Sequence, residues 1–298
     1  MSKTLVAAVQ MTSTPDVAVN LNAARNLIAK AASAGARLVV LPENLVMMGH
    51  RETDKLAHAE ADGAGPVQDF LAEAARRFGV WLVGGTLFLR ASPGKVYASS
   101  LVLSDKGERV GRYDKIHLFD VNLPGAGERY RESATVTPGD KPLVVDTPFG
   151  RLGVTICYDL RFPELYRQLA DAGVEILAVP SAFIASTGPA HWEVLLRARA
   201  VENLAYVIAS NQGGTHENGR RTYGNSMVID PWGNVLARLD TEPDVVLAEI
   251  DLPALHERRN AFPVLAHRRL DSNRFEGVPI VRESLLPSQQ VADIGCFC

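Results

Sequence analysis

A carboxylate, an ammonium and a thiol each stand at the end of a strand-like run in this sequence. Glu43 follows Val39-Val40-Leu41-Pro42, Lys115 follows Val110-Gly111-Arg112-Tyr113-Asp114, and Cys157 follows Leu152-Gly153-Val154-Thr155-Ile156. A strand end that runs into a loop is where a rigid scaffold presents side chains to a cleft. Together the three groups would make a nucleophilic site. The thiolate attacks, the carboxylate takes and returns the proton, and the lysine stabilises negative charge on a substrate oxygen. Cys157 also precedes a helix opened by Pro163, whose dipole would favour thiolate. Each residue has a plainer use as well. A cysteine ending a buried strand is commonly inert core, and a Glu or Lys after a strand is commonly solvated.

The elements that must position them alternate along the chain. Leu5–Gln10 reads as a strand, and the apolar face Val19, Leu21, Ala24, Leu27 and Ile28 as a helix ending near Gly35. Leu38–Leu41 is a buried-type strand, and residues 44–65 read as a lid or surface loop. Pro66–Phe78 predicts a helix capped by Gly79, and Val80–Phe88 a strand in which Gly84-Gly85 marks close packing. Val96–Leu103 and Arg109–Tyr113 flank the turn Ser104-Asp105-Lys106-Gly107 as a hairpin. The second half repeats the style. Strands are predicted at 143–146, 152–156, 176–179, 206–210, 226–229, 235–239 and 245–250, with helices at 163–172 and 190–203. Strands joined by both hairpins and helices imply an α/β fold, a mixed sheet covered by helices, and the half-repeats hint at a two-fold-like sandwich.

Composition bounds the rest. At 298 residues the chain allows one large domain or two ordinary ones, and no linker or low-complexity segment divides it. Residues 1–272 are read as one domain and 273–298 as a C-terminal tail. A net charge of −3 excludes the basic footprint of a general nucleic-acid binder. No apolar run reaches the roughly 18 residues that span a bilayer, and the first residues lack a signal-peptide layout. Three cysteines suggest a reducing compartment, so a cytoplasmic location is expected. The seven histidines show no metal-ligand spacing, so no zinc site is expected.

Three local motifs resemble the nitrilase, or carbon–nitrogen hydrolase, superfamily. They are Leu41-Pro42-Glu43, Tyr113-Asp114-Lys115-Ile116-His117-Leu118-Phe119-Asp120, and Ile156-Cys157-Tyr158-Asp159-Leu160-Arg161-Phe162-Pro163. They fall in the family's order, and the resemblance spans about Thr4 to Leu270. A further block, Pro180-Ser181-Ala182-Phe183 with Thr187-Gly188-Pro189-Ala190-His191-Trp192-Glu193, resembles the branch holding deaminated glutathione amidase and ω-amidase. The opening Met11-Thr12-Ser13-Thr14-Pro15-Asp16 and the stretch Gln212 to His216 are more similar to the former.

That resemblance implies a four-layer αββα sandwich, extended to αββααββα in a homodimer. It implies Cys157 as nucleophile, Glu43 as general base and acid, and Lys115 with the backbone N–H of Tyr158 as oxyanion donors. Glu132 matches a second family glutamate near the lysine. Glu128 is the alternative there, because Leu123–Tyr130 departs from the family's connection. Arg161, Phe183 and Thr187 are implied to bind substrate, with Arg161 on a 2-oxo acid carboxylate. The implied reaction is hydrolysis of a small-molecule amide through a thioester, without metal or cofactor. The substrate would be deaminated glutathione, giving 2-oxoglutarate and cysteinylglycine in metabolite repair, or else α-ketoglutaramate.

Other readings compete. His117 or His191 could serve a Cys–His hydrolase, although a supporting role suits both better. Arg197 and Arg199 could bind an anion, but structural or subunit contacts suit them better. Arg161 could simply pair with Asp159, and Phe183 could be plain core. The ending Gly295-Cys296-Phe297-Cys298 could carry lipid or metal, or be an incidental tail. A binding protein that kept the fold without turnover is the rival from another class.

Overall fold

The computed structural model describes residues 3–123 and 127–270. The first half contributes strands β1 (Thr4–Gln10), β2 (Leu38–Val40), β3 (Trp81–Val83), β4 (Leu87–Arg90), β5 (Val96–Leu103) and β6 (Arg109–Asp114), with helices α1 (Val17–Ser33) and α2 (Pro66–Phe78). A short hairpin follows, β7 (Asp120–Leu123) with β8 (Glu128–Arg131). The second half supplies β9 (Leu143–Thr147), β10 (Gly150–Val154), α3 (Pro163–Asp171), β11 (Ile176–Ser181), α4 (Gly188–Asn203) and β12 (Tyr206–Asn211). Then come β13 (Gly213–Thr215), β14 (Arg221–Tyr223), β15 (Met227–Ile229), β16 (Val235–Arg238), β17 (Asp244–Ile250) and α5 (Leu252–Ala261).

One sheet has seven strands, ordered β17-β1-β2-β3-β5-β4, with β6 paired to β5. The other has six, ordered β16-β15-β12-β11-β10-β9. Each carries a parallel core joined through helices: β1, β2 and β3 in one, β10, β11 and β12 in the other. Helices α1 and α2 pack on the first sheet, α3 and α4 lie on the second, and the two sheets face each other. The layers are therefore αββα.

The apolar runs follow from this. Side chains alternate across a strand, and a strand covered on both sides needs apolar residues at every position. Val6 and Ala8 of β1 join the core between the sheets, while Ala7 and Val9 join the core beneath α1 and α2. Leu38 and Val40 of β2 separate from Val39 in the same way. The described residues up to Ala266 form one compact unit.

Several expectations are corrected. Val80–Phe88 is not one strand but β3 and β4, both antiparallel to β5, with Gly84-Gly85-Thr86 between them. Gly85 has φ +53°, and a Cβ there would stand 2.2 Å from the Pro42 carbonyl oxygen. The glycine lets the two segments touch immediately before Glu43. β11 does not stop at Val179 but runs through Pro180 to Ser181, in register with β12. Proline loses a donor there, yet its φ still suits an extended chain. The 44–65 segment begins as core rather than surface, with Leu45, Val46, Met47 and Met48 buried. The hairpin β7–β8, the pair β13–β14 and helix α5 have too few alternating apolar residues to be read from the sequence. The tail 273–298, with Cys296 and Cys298, lies outside the described residues.

Candidate active site

Glu43 lies just beyond β2, Lys115 just beyond β6 and Cys157 just beyond β10. The carboxyl ends of β2 and β6 in one sheet and of β10 in the facing sheet thus converge on one place. All three residues are buried, Lys115 being 2% exposed and Glu43 5%. Lys115 Nζ donates to Glu43 Oε1 at 2.8 Å and to both oxygens of Glu132, at 3.0 and 2.9 Å. Burial alone would lower the lysine's pKa. The charges of Glu132 and Glu43 outweigh that and hold it well above the ordinary lysine range. Burial would likewise raise the Glu132 carboxyl, but Lys115 leaves it below the usual range.

Each carboxylate is anchored a second time. Glu43 Oε2 accepts from the Ala182 amide at 2.9 Å, at the end of β11, and Glu132 Oε2 accepts from the Phe119 amide at 2.6 Å. Gln212 Nε2 donates to the Glu43 carbonyl at 2.9 Å. Glu128 does not reach the lysine. Its Oε2 accepts from the Tyr130 and Ser186 hydroxyls, each at 3.1 Å.

Cys157 sits at φ +46°, a conformation L-residues rarely adopt, and opens a 3-10 turn, Cys157–Arg161, between β10 and α3. Two devices hold that turn. Asp159, fully buried, accepts from the Ile156 amide at 2.9 Å, the Tyr113 hydroxyl at 2.7 Å and the His117 amide at 3.0 Å. Arg199 of α4 donates to the Leu160 carbonyl from Nε at 3.1 Å and from Nη2 at 2.8 Å. Arg199 is thus structural, and Arg197 bonds the Gly233 carbonyl.

The expected helix-dipole activation of the thiol is overturned. Burial, reinforced by the negative charge of Glu43, pushes the Cys157 thiol strongly up, and Lys115 offsets only part of this. Desolvation of a thiolate costs more than one short turn returns. Burial and the Glu43 charge both favour the protonated thiol over the thiolate.

A cavity of about 400 Å³ opens beside these groups. Glu43, Lys115, Glu132, Cys157, Tyr158, Arg161, Phe183 and Thr187 all line it. Phe183 packs on Trp192 with ring centroids 5.1 Å apart, so it serves core and cavity together. Among the described residues, the buried Thr187 hydroxyl has no hydrogen-bond partner. Arg161 is not paired with Asp159. Its guanidinium lies over Phe183 and Tyr158, at 5.1 and 5.8 Å, and Nη1 is 3.1 Å from His191 Nδ1. His117 turns away from the thiol. Its Nδ1 is 2.7 Å from Asp159 Oδ1, and its ring stacks on Phe162. Neither histidine lines the cavity.

Arg220, Tyr130, Asn218 and Met48 also line the cavity and were not singled out from the sequence. The signal available was the turn-rich stretch His216-Glu217-Asn218-Gly219, which throws Arg220 out of a tight bend between β13 and β14. No group of three or more candidate metal ligands occurs among the described residues.

A two-half αββα sandwich with a buried thiol, lysine and paired carboxylates between its sheets has the parts of a thiol-dependent hydrolase. Residues 5–260 match the carbon–nitrogen hydrolase family model, and the chain belongs to that family. It is a hydrolase of carbon–nitrogen bonds other than peptide bonds. It is 47% identical over 272 residues to the deaminated glutathione amidase of Synechocystis, covering 90% of this chain and 99% of that one. The human deaminated glutathione amidase is 43% identical, covering 90% of this chain and 83% of that one. The crystal structure of Saccharomyces cerevisiae Nit3, a nitrilase-superfamily member, superposes with a TM-score of 0.80 at 32% identity, covering 92% of this chain and 97% of that chain.

Proposed function

We propose that this hydrolase cleaves the amide of deaminated glutathione, releasing 2-oxoglutarate and cysteinylglycine. The observation that carries the chemistry is Lys115, buried between Glu43 and Glu132 at the wall of the cavity that Cys157 also lines. Glu43 takes the thiol proton as Cys157 Sγ attacks the amide carbonyl carbon. The carbonyl oxygen gains the electron pair, and the Lys115 ammonium and the Tyr158 amide receive it. The C–N bond then breaks, the amine leaves with the proton from Glu43, and a thioester remains. Water, deprotonated by Glu43, attacks that thioester and frees the acid and the thiol. Glu132 keeps the lysine charged and aimed, and no metal or cofactor is needed.

The substrate assignment rests on the names of the relatives and on the cavity. Arg161 is the residue for the 2-oxo acid carboxylate, since among the described residues it has no carboxylate partner. Thr187 offers a buried hydroxyl, and Phe183 a wall. Residues 1–272 constitute the catalytic domain in this reading. The enzyme acts in the cytoplasm as a homodimer, which is consistent with the exposed apolar residues Val194 and Val201 on α4 and Trp232 nearby.

The test is kcat/KM for deaminated glutathione and α-ketoglutaramate side by side, with Cys157→Ala as blank. A clear preference for deaminated glutathione supports the assignment. A preference for α-ketoglutaramate makes the enzyme an ω-amidase with the same mechanism. No Cys157-dependent turnover of either keeps the fold and reopens the substrate class.

A further inference from the structure

The cavity carries more cation than its chemistry uses. Lys115 is engaged by two carboxylates, Lys55 by Glu52 at 2.8 Å, and Arg51 by Asp54 at 3.1 Å. Among the described residues, no carboxylate pairs with Arg129, Arg161 or Arg220 of the lining; Arg129 is exposed, whereas Arg161 and Arg220 are half-buried. Arg220 is the less satisfied of the two. Its Nε is buried without a hydrogen-bond partner, Nη1 meets only the Met48 sulfur at 3.9 Å, and Nη2 reaches the Ala182 carbonyl at a long 3.4 Å. Its plane lies over Tyr130, 5.0 Å from the ring centroid, which fixes the fork without neutralising it. A guanidinium held in this way is preorganised for a planar anion.

The two arginines also come from different segments. Arg161 belongs to the turn that carries Cys157 and lies between Tyr158 and Phe183. Arg220 comes from the bend between β13 and β14 and lies between Tyr130 and Met48, and it shares no ring with Arg161. Two half-buried guanidiniums without a carboxylate partner among the described residues give the cavity a place for a second anion.

We propose that Arg220 is a specificity-determining residue that receives the terminal carboxylate of the leaving group. The cavity is then built for an amide with one anion on each side of the scissile bond. This rests on the assignment of Arg161 to the 2-oxo acid head. It also supplies what separates a dipeptide amide from α-ketoglutaramate, which has one carboxylate and releases only ammonia.

The test compares deaminated glutathione with the same molecule carrying a C-terminal carboxamide in place of the glycine carboxylate. The wild-type enzyme should prefer the free acid by roughly 10- to 100-fold in kcat/KM, mostly through KM, as expected for loss of one charge-assisted contact. In Arg220→Gln that ratio should collapse toward one, and Arg220→Lys should keep part of it. The wild-type comparison needs no variant, so a folding defect in Arg220→Gln cannot mask the result. Equal handling of the two substrates by the wild type, or an unchanged ratio in Arg220→Gln, overturns this inference alone. Absence of Cys157-dependent turnover of deaminated glutathione overturns it together with the substrate assignment.

Discussion

Lys115 Nζ lies 2.8 Å from Glu43 Oε1, in a pair whose members are separated by 72 positions and almost sealed from water. An isolated buried ion pair seldom repays its desolvation. This one is completed by Glu132 on the far side of the ammonium and by backbone donors on both carboxylates. The arrangement fixes the lysine's charge and leaves one Glu43 oxygen shared with the Ala182 amide, against the Cys157 thiol.

Glu43→Gln should lower kcat by roughly 10²- to 10⁴-fold, the usual worth of a positioned acid–base group. The same variant removes the negative charge that helps push the Cys157 thiol up, while the Lys115 charge remains. The thiol's pKa should therefore fall. Iodoacetamide alkylation of Cys157, followed by mass spectrometry across pH, should show its midpoint displaced to lower pH. An unchanged profile would sink the assigned contact between the two groups.

Lys115→Ala should cost about 3–5 kcal/mol in urea unfolding at neutral pH, because it leaves two buried carboxylates facing each other. The wild-type linkage has two limits. The raised Lys115 value means its contribution is fully present below the unfolded lysine value near about 10.4 and is lost as pH rises through the folded value. The lowered Glu132 value means its contribution is present above the unfolded glutamate value near about 4.3 and is lost as pH falls through the folded value. A stability profile of Lys115→Ala parallel to wild type at both ends would contradict the pairing.

Asp159→Asn should destabilise the protein by about 2–4 kcal/mol, since Asp159 satisfies the Ile156 and His117 amides and the Tyr113 hydroxyl inside the core. Activity should fall further than stability explains, because the turn that strains Cys157 loses its anchor. Thermal unfolding and single-turnover acylation measured on the same sample separate the two effects.

Gly85→Ala should cost about 2 kcal/mol or more. The position has φ +53°, and the new Cβ would meet the Pro42 carbonyl oxygen at 2.2 Å. The displaced segment is the one that delivers Glu43, so kcat should drop in the folded fraction. Wild-type urea stability and turnover in this variant would show that the contact relaxes freely.

Much of this architecture is legible in the residues themselves. Apolar runs such as Leu38–Leu41 and Ile176–Val179 announce strands buried on both faces, and Pro66 with Gly79 brackets a helix that the structure places at Pro66–Phe78. Glu43, Lys115 and Cys157 stand at strand ends with types that suit acid–base, oxyanion and nucleophile roles, and the motifs around them assign those roles by resemblance. What chain order cannot encode is proximity. Glu132 meets the lysine and Glu128 does not, although they lie on the same short segment, because only the fold's return path decides which carboxylate faces Nζ. The thiol's protonation was misjudged for the same reason. A helix start is visible locally, whereas desolvation is set by everything packed around Cys157. Arg220 went unseen because a charged residue in a turn resembles any solvated loop until Tyr130, from a distant hairpin, lies under it. Residue types, motifs and apolar periodicity announce the reactive groups and most of the strands and helices that carry them. Their pairing and protonation come from packing between segments far apart in the chain, which sets distance and local dielectric.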